Sequence, residues 1–169
     1  MHLLRRLALA AVVVASVGCG GGHLVVKEVN PMPSVVVSGG AGYAVDVSQI
    51  PDRIEAGPRV ALFDVRRSVE AGFHNAVGSH YRPGGDGATR LVFDAFDAKL
   101  EPGRIVVLRV TYRARWIDEH GALIAETAGS AIAKNPLQVG SGHWRDSLEV
   151  MIEQLVNAYE KASRDRVAG

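Results

Sequence analysis

Apolar and polar positions alternate most regularly over residues 104–118, RIVVLRVTYRARWID. Val106, Leu108, Val110, Tyr112, Ala114 and Trp116 fall on one side of an extended chain, with Val107, Arg109, Thr111, Arg113, Arg115 and Ile117 on the other. A period of two predicts a strand with one buried face and one largely solvated face. Asp118-Glu119-His120-Gly121 predicts a hairpin turn with Gly121 at positive φ, and residues 122–134 the antiparallel return. Upstream, residues 89–100 (TRLVFDAFDAKL) read as a further strand, closed by Glu101-Pro102-Gly103.

Elsewhere the period lengthens. Val65, Val69, Phe73, Val77 and Tyr81 recur every fourth position, with Ala76 widening the stripe, which predicts a helix over 64–81. Asp64 is the expected N-cap and Gly84-Gly85 lie beyond the end; Gly72 and Gly78 argue mildly against the helix. Residues 143–165 predict a long amphipathic helix on Trp144, Leu148, Met151, Ile152, Leu155, Val156, Tyr159 and Ala162, with Ser141 or Gly142 in its cap region. Lys161, Arg164 and Arg166 near its end suit the helix dipole.

Residues 35–47 (VVVSGGAGYAVDV) have strand composition broken by Gly39, Gly40 and Gly42, which predicts a kinked edge strand. Residues 49–58 read as a loop, 59–63 as a short additional strand, and 81–90 and 135–142 as loops. The order strand, helix, three strands, helix predicts one α+β domain over 35–169. Hairpin connections imply a mainly antiparallel sheet of four to five strands with both helices packed on one face.

The first 34 residues follow a different logic. Arg5 and Arg6 precede an apolar run over 7–17, and small residues lead into Cys19, the chain's single cysteine. That is the layout of a secretory signal, too short to span a hydrocarbon core of about 30 Å. Gly18-Cys19 resembles the end of a bacterial lipoprotein signal, although Ser16 stands where leucine is commonest. The resemblance implies a signal over 1–18, lipidation at Cys19 and a membrane anchor. Gly20 rather than Asp after the cysteine implies the outer membrane, facing the periplasm. An ordinary cleaved signal leaving a free thiol, or an uncleaved anchor helix, are the alternatives. Residues 19–34, with three glycines and two prolines, read as a tether, unless Leu24-Val25-Val26 starts a strand.

Charge narrows the partners. Without Arg5 and Arg6, 17 basic residues face 18 acidic ones, so the exported part is near −1 and gives no reason to expect nucleic acid. His74 and His80, six apart, do not share a helix face, and His23, His120 and His143 are scattered, so no metal site is expected. Asp94, Asp97 and Glu101 are not expected to act as paired carboxylates on one strand face. GGAG and PGGDG lack phosphate-loop spacing, and VGSGH lacks the nucleophile-elbow pattern. No cofactor and no catalytic residue is expected.

Two features point to binding. Arg109, Thr111, Arg113 and Arg115 line the polar side of the longest strand, with Arg90 and Arg104 nearby in sequence. They are either an ordinary solvated sheet face or a surface for a protein, anionic lipid or glycan. The edge at Val35, Val36 and Val37 is the second candidate, open to pairing with a partner's strand.

The stretches VRRSVEAGFHNAVGSHY, VLRVTYRARWIDEHGALIAETAG and HWRDSLEVMIEQLVNAY, behind a lipoprotein-type cysteine, resemble a group of small envelope lipoproteins. The group comprises the lipopolysaccharide-assembly lipoprotein, the auxiliary lipoproteins of ABC transporters and the YajG-like lipoproteins. The resemblance lies in element order and implies a non-enzymatic accessory subunit of an envelope transport or assembly complex, with an envelope protein as partner. A lipid- or glycan-binding carrier is the alternative, and an enzyme with an unrecognised site the third reading.

Overall fold

The computed structural model describes residues 23–25, 42–57, 60–101, 107–132 and 141–168. The signal, Cys19, Val35, Val36, Val37 and Arg104 lie outside the described residues.

The alternation at the centre of the sequence builds the main sheet. Strands β5 (Ala88–Glu101), β6 (Val107–Ile117) and β7 (Leu123–Ile132) form an antiparallel meander. Leu108, Val110, Tyr112, Ala114 and Trp116 of β6 are buried, and Thr111, Arg113 and Arg115 are exposed. Gly121 takes a φ of 85°, and the Asp118 carboxylate accepts the amides of His120 (2.9 Å) and Ala122 (2.8 Å) in the turn. Those amide bonds, that of Ala122 first, hold the Asp118 carboxyl below its ordinary range.

Strand β2 (Gly42–Asp46) completes the order β2-β5-β6-β7, and it lies parallel to β5. The sheet is therefore mainly antiparallel, as expected, but mixed rather than purely so. A chain that leaves a strand, forms a helix and returns to pair beside that strand arrives in the same direction, because the crossover brings it back to its starting end. The strand-helix-strand order of residues 42–101 held that information.

A second, three-stranded sheet has the order β1-β4-β3: β1 (His23–Val25), β3 (Ile54–Gly57) and β4 (Val60–Phe63). The segment read as a loop over 49–58 thus contributes a strand, and the short strand at 59–63 joins this sheet rather than the main one. Alternation reveals β3 in retrospect, since Ile54 and Ala56 are buried while Glu55 is exposed. The prolines Pro51 and Pro58 on either side mask it in the sequence.

Both helices, α1 (Val65–Val77) and α2 (Ser141–Ala168), cover the same face of the main sheet. Val65, Val69, Phe73, Ala76 and Val77 of α1 are buried, as are Trp144, Leu148, Met151, Ile152, Leu155, Val156 and Tyr159 of α2. Ala162 is half-buried. The helix predicted over 64–81 stops at Val77 because Gly78 turns the chain with a φ of 55°, and a 3₁₀ turn (Gly78–His80) follows. Asp64 precedes the helix but does not cap it with its side chain; it sits at φ 54°, and its carbonyl accepts the Ser68 amide (3.0 Å) and hydroxyl (2.9 Å). Gly72 marks the close approach of the helices: a Cβ there would lie 3.1 Å from both Leu148 Cδ2 and Ile152 Cδ1.

Polar ties fix the helices on the sheet. Ser147 Oγ donates to the Leu108 carbonyl (3.2 Å) and Trp116 Nε1 to the Leu155 carbonyl (2.9 Å). Around Trp116 the rings of Tyr159 (4.9 Å), Phe73 (5.9 Å) and Tyr43 (6.3 Å) fill the space between helices and sheet. Burial, and then the hydrogen bond with Tyr159, raises the Tyr43 hydroxyl's pKa.

Candidate functional site: the outer sheet face and the β2 edge

The side of the main sheet away from the helices carries the arginines. Strand β5 bulges at Asp94, between Phe93 paired with Ala114 and Ala95 paired with Arg113. An extra residue shifts the alternation by one position. Leu91 and Phe93 point inward before it, Phe96 and Ala98 after it, so Asp94, Asp97, Lys99 and Glu101 all reach the outer face. The sequence reading held Asp94, Asp97 and Glu101 apart; the bulge, and the even spacing of Asp97 and Glu101, place them together.

Each carboxylate there meets a cation. Asp94 holds Arg115 in a two-point pair (2.8 and 2.6 Å), and Glu101 holds Arg109 the same way (2.6 and 2.9 Å). Arg109 also donates to Ser130 Oγ (3.3 Å), and Lys99 Nζ lies 3.3 Å from Asp97. Two parallel N–H bonds fix both distance and plane of a guanidinium. The Arg115 and Arg109 hydrogen bonds hold the Asp94 and Glu101 carboxyls below their usual range.

Arg113 differs. Its cross-strand neighbours are Ala95 and Ala128, it is exposed, and it has no hydrogen bond or ion pair among the described residues. Thr111 stands in register between Asp97 and Ser130. The predicted cluster is therefore real as a row but divided in role: Arg109 and Arg115 are committed to their own sheet, while Arg113 is presented to solvent.

A second basic site, not foreseen from the sequence, lies at the β2 edge. A cleft of about 360 Å³ is lined by residues 44–48 together with Arg66, Glu70, Tyr81, Arg82 and Arg90. Arg66 Nε donates to the Ile50 carbonyl (3.1 Å), and Arg82 Nη1 to the carbonyls of Ser79 and Tyr81 (3.1 Å each). Glycines make room for two of these side chains: a Cβ on Gly42 would lie 2.2 Å from Arg82 Cγ, and one on Gly85 3.1 Å from Arg90 Nε. The acids present are engaged. Glu70 accepts the Tyr81 hydroxyl (2.8 Å), and Asp46 accepts the Ser48 amide (2.9 Å) with Arg90 near by. Burial and the Glu70 hydrogen bond push the Tyr81 hydroxyl up to about 12. Residues 66, 82 and 90 come from a helix, a loop and a strand, so no local spacing announced them; the signal was the paired glycines and arginines of G42…R82-P-G-G85…R90.

His74 packs on Tyr81 (4.7 Å) and His80 lies edge-on to Tyr43 (6.5 Å). Among the described residues no group of three His, Cys, Asp or Glu is gathered as a metal site would require, and no helix is long and apolar enough to cross a membrane.

No family model and no curated protein matches the chain. Solved structures that resemble it include two bacterial proteins. The minor lipoprotein from Acinetobacter baumannii has a TM-score of 0.44 at 16% identity, over 79% of this chain and 96% of that one. Protein XCC0632 from Xanthomonas campestris, described by the family model DUF330, has a TM-score of 0.56 at 9% identity, covering 88% of this chain and 99% of that one. At that identity the likeness is one of fold: the two chains share an α+β architecture over nearly their whole length.

Proposed function

We propose that the protein is a non-enzymatic lipoprotein, anchored through Cys19 to the outer membrane and facing the periplasm, that serves as an accessory subunit of an envelope transport or assembly complex. The anchor rests on the charged, apolar and small-residue order ending at the single cysteine. The docking role rests on one observation, the state of Arg113. An exposed guanidinium in a gap between two alanines, with no hydrogen bond or ion pair among the described residues and bracketed by Arg–carboxylate pairs, has its donors open to a partner's carboxylate. The flanking pairs are already formed, so on this row the Arg113 side chain alone has its rotamer freedom to lose on association. The carrier alternative needs room between helices and sheet, and Trp116, Tyr43, Phe73 and Tyr159 fill that space.

Photo-crosslinking from position 113 in the lipidated chain, with mass spectrometry of the adducts, tests the docking role. A stoichiometric adduct to one membrane protein is expected, and lipid adducts alone would overturn it. Cys19→Ser should move the chain from the membrane to the soluble fraction. A parent chain that takes up no labelled fatty acid would refute the anchor.

A further inference from the structure

The cleft beside β2 combines two features that have no common structural cause. One is an unused rung of backbone. Tyr43 bridges Tyr81 on the side of β2 away from β5, its carbonyl accepting the Arg82 amide (2.8 Å). Backbone groups alternate sides along a strand, so the amide and carbonyl of Val45 face the same outward way. Val47 closes the edge, its carbonyl accepting the Ile50 amide (3.0 Å), and Pro83 ends the Tyr81–Arg82 segment before it reaches Val45. Val45 is left without a backbone partner on that side among the described residues. The other feature is charge. Arg66, Arg82 and Arg90 line the same cleft against Asp46 and Glu70, and both acids already accept hydrogen bonds within the chain. Arg90 makes no hydrogen bond among the described residues, and Arg66 commits only its Nε.

We propose that the β2 edge takes up an extended, acid-bearing segment of a partner protein as an added strand, which bonds to Val45 and pairs its carboxylates with Arg66 and Arg90. Strand addition draws affinity from main-chain bonds and specificity from flanking side-chain sites. A single rung supplies little by itself, so the guanidinium–carboxylate pairs carry the binding, and the contact weakens with salt. Neither the anchor nor Arg113 enters this inference, so it stands or falls separately from the function proposed above.

The test places a benzoylphenylalanine crosslinker at Ser48, exposed on the cleft rim, in the full chain in its native cells. Adducts are mapped by mass spectrometry. The expected result is one contiguous partner segment containing Asp or Glu. Its yield should fall about tenfold on Arg90→Glu, the scale expected for losing a charge-assisted bond, and recover partly with Arg90→Lys. Val45→Pro should abolish the adduct and lower the melting temperature less than Ala44→Pro, because the amide it removes faces away from β5 and only the partly buried valine side chain is lost from the core. Ala44→Pro removes an amide that faces β5 and should lower the melting temperature. Adducts only to lipid, adducts only to this chain's own residues, or no adduct would each overturn the proposal. So would an adduct that persists in both Arg90→Glu and Val45→Pro. A drop in melting temperature for Val45→Pro as large as that for Ala44→Pro would also overturn it, since the amide would then already be in use.

Discussion

The two faces of β6 are built from the same alternation and do opposite work. Inward, Leu108, Val110, Tyr112, Ala114 and Trp116 are buried against two helices. Outward, Arg109, Thr111, Arg113 and Arg115 meet solvent and the neighbouring strands. On the inner face a residue matters for its volume and for the contacts it fills. On the outer face it matters for which carboxylate lies opposite, and that depends on register rather than on residue type. A strand can therefore have its inner face disrupted by a single truncation while its outer face tolerates the same change.

The largest effect is expected at Trp116. Its ring is fully buried among Tyr43, Phe73 and Tyr159, and its Nε1 holds the Leu155 carbonyl. Trp116→Ala should cost about 3–5 kcal/mol by urea denaturation, a large share of the roughly 5–15 kcal/mol that holds a domain folded. A cost below about 1 kcal/mol would mean that the two helices do not rest on this ring.

Next comes the helix contact. Gly72→Val should destabilise by about 1–3 kcal/mol, because the Cβ alone already meets Leu148 and Ile152 at 3.1 Å. Gly72→Val combined with Leu148→Ala should cost less than the sum of the two single changes, a partial rescue, if the clash is steric. Failure of that rescue would point to backbone strain within α1 instead.

That glycine shows where the sequence was legible and where it was not. Periodicity located β6 with its inner and outer members and the apolar stripes of both helices, since a buried stripe leaves its period in the chain, and the turn at 118–121 located β7. The Arg109–Arg115 row was visible for the same reason. Pairwise close approach leaves no such trace. Gly72 read as a weakness of the helix and is the point where α2 seats; Asp94 read as isolated until the bulge turned it outward. The parallel placement of β2 and the second sheet depend on long-range pairing, and the basic cleft on three elements that only the fold brings together.

Acid titration probes the outer face with a smaller effect. Asp94 and Glu101 have folded-state pKa values lowered by their arginines. A carboxylate lowered on folding contributes stability above its unfolded pKa of about 4, and that contribution is lost as the pH falls through the folded value. The Asp94→Asn, Glu101→Gln double variant should therefore flatten the loss of stability between neutral and acid pH. Both pairs are partly exposed, so solvent screening keeps the difference small. Asp46 and Asp118 are also lowered and should leave a residual slope. An unchanged slope in the double variant would mean that the two ion pairs do not form in solution.

The smallest effect on folding is expected where the proposed effect on docking is greatest. Arg113 is hydrogen-bonded to no carboxylate among the described residues, its charge reaching Asp94 only as the last of the causes that lower that carboxyl, and it is flanked by Ala95 and Ala128, so Arg113→Ala should leave stability within about 0.5 kcal/mol of the parent. Arg109→Ala and Arg115→Ala strand Glu101 and Asp94 on the face and should each cost more than Arg113→Ala. An arginine that folding does not need, held between two that it pins, is what a docking residue looks like thermodynamically: removing it should weaken partner capture at unchanged melting temperature. If Arg113→Ala instead lowers the melting temperature as far as Arg109→Ala does, Arg113 belongs to the same structural ladder, and the outer face is a solvated sheet surface.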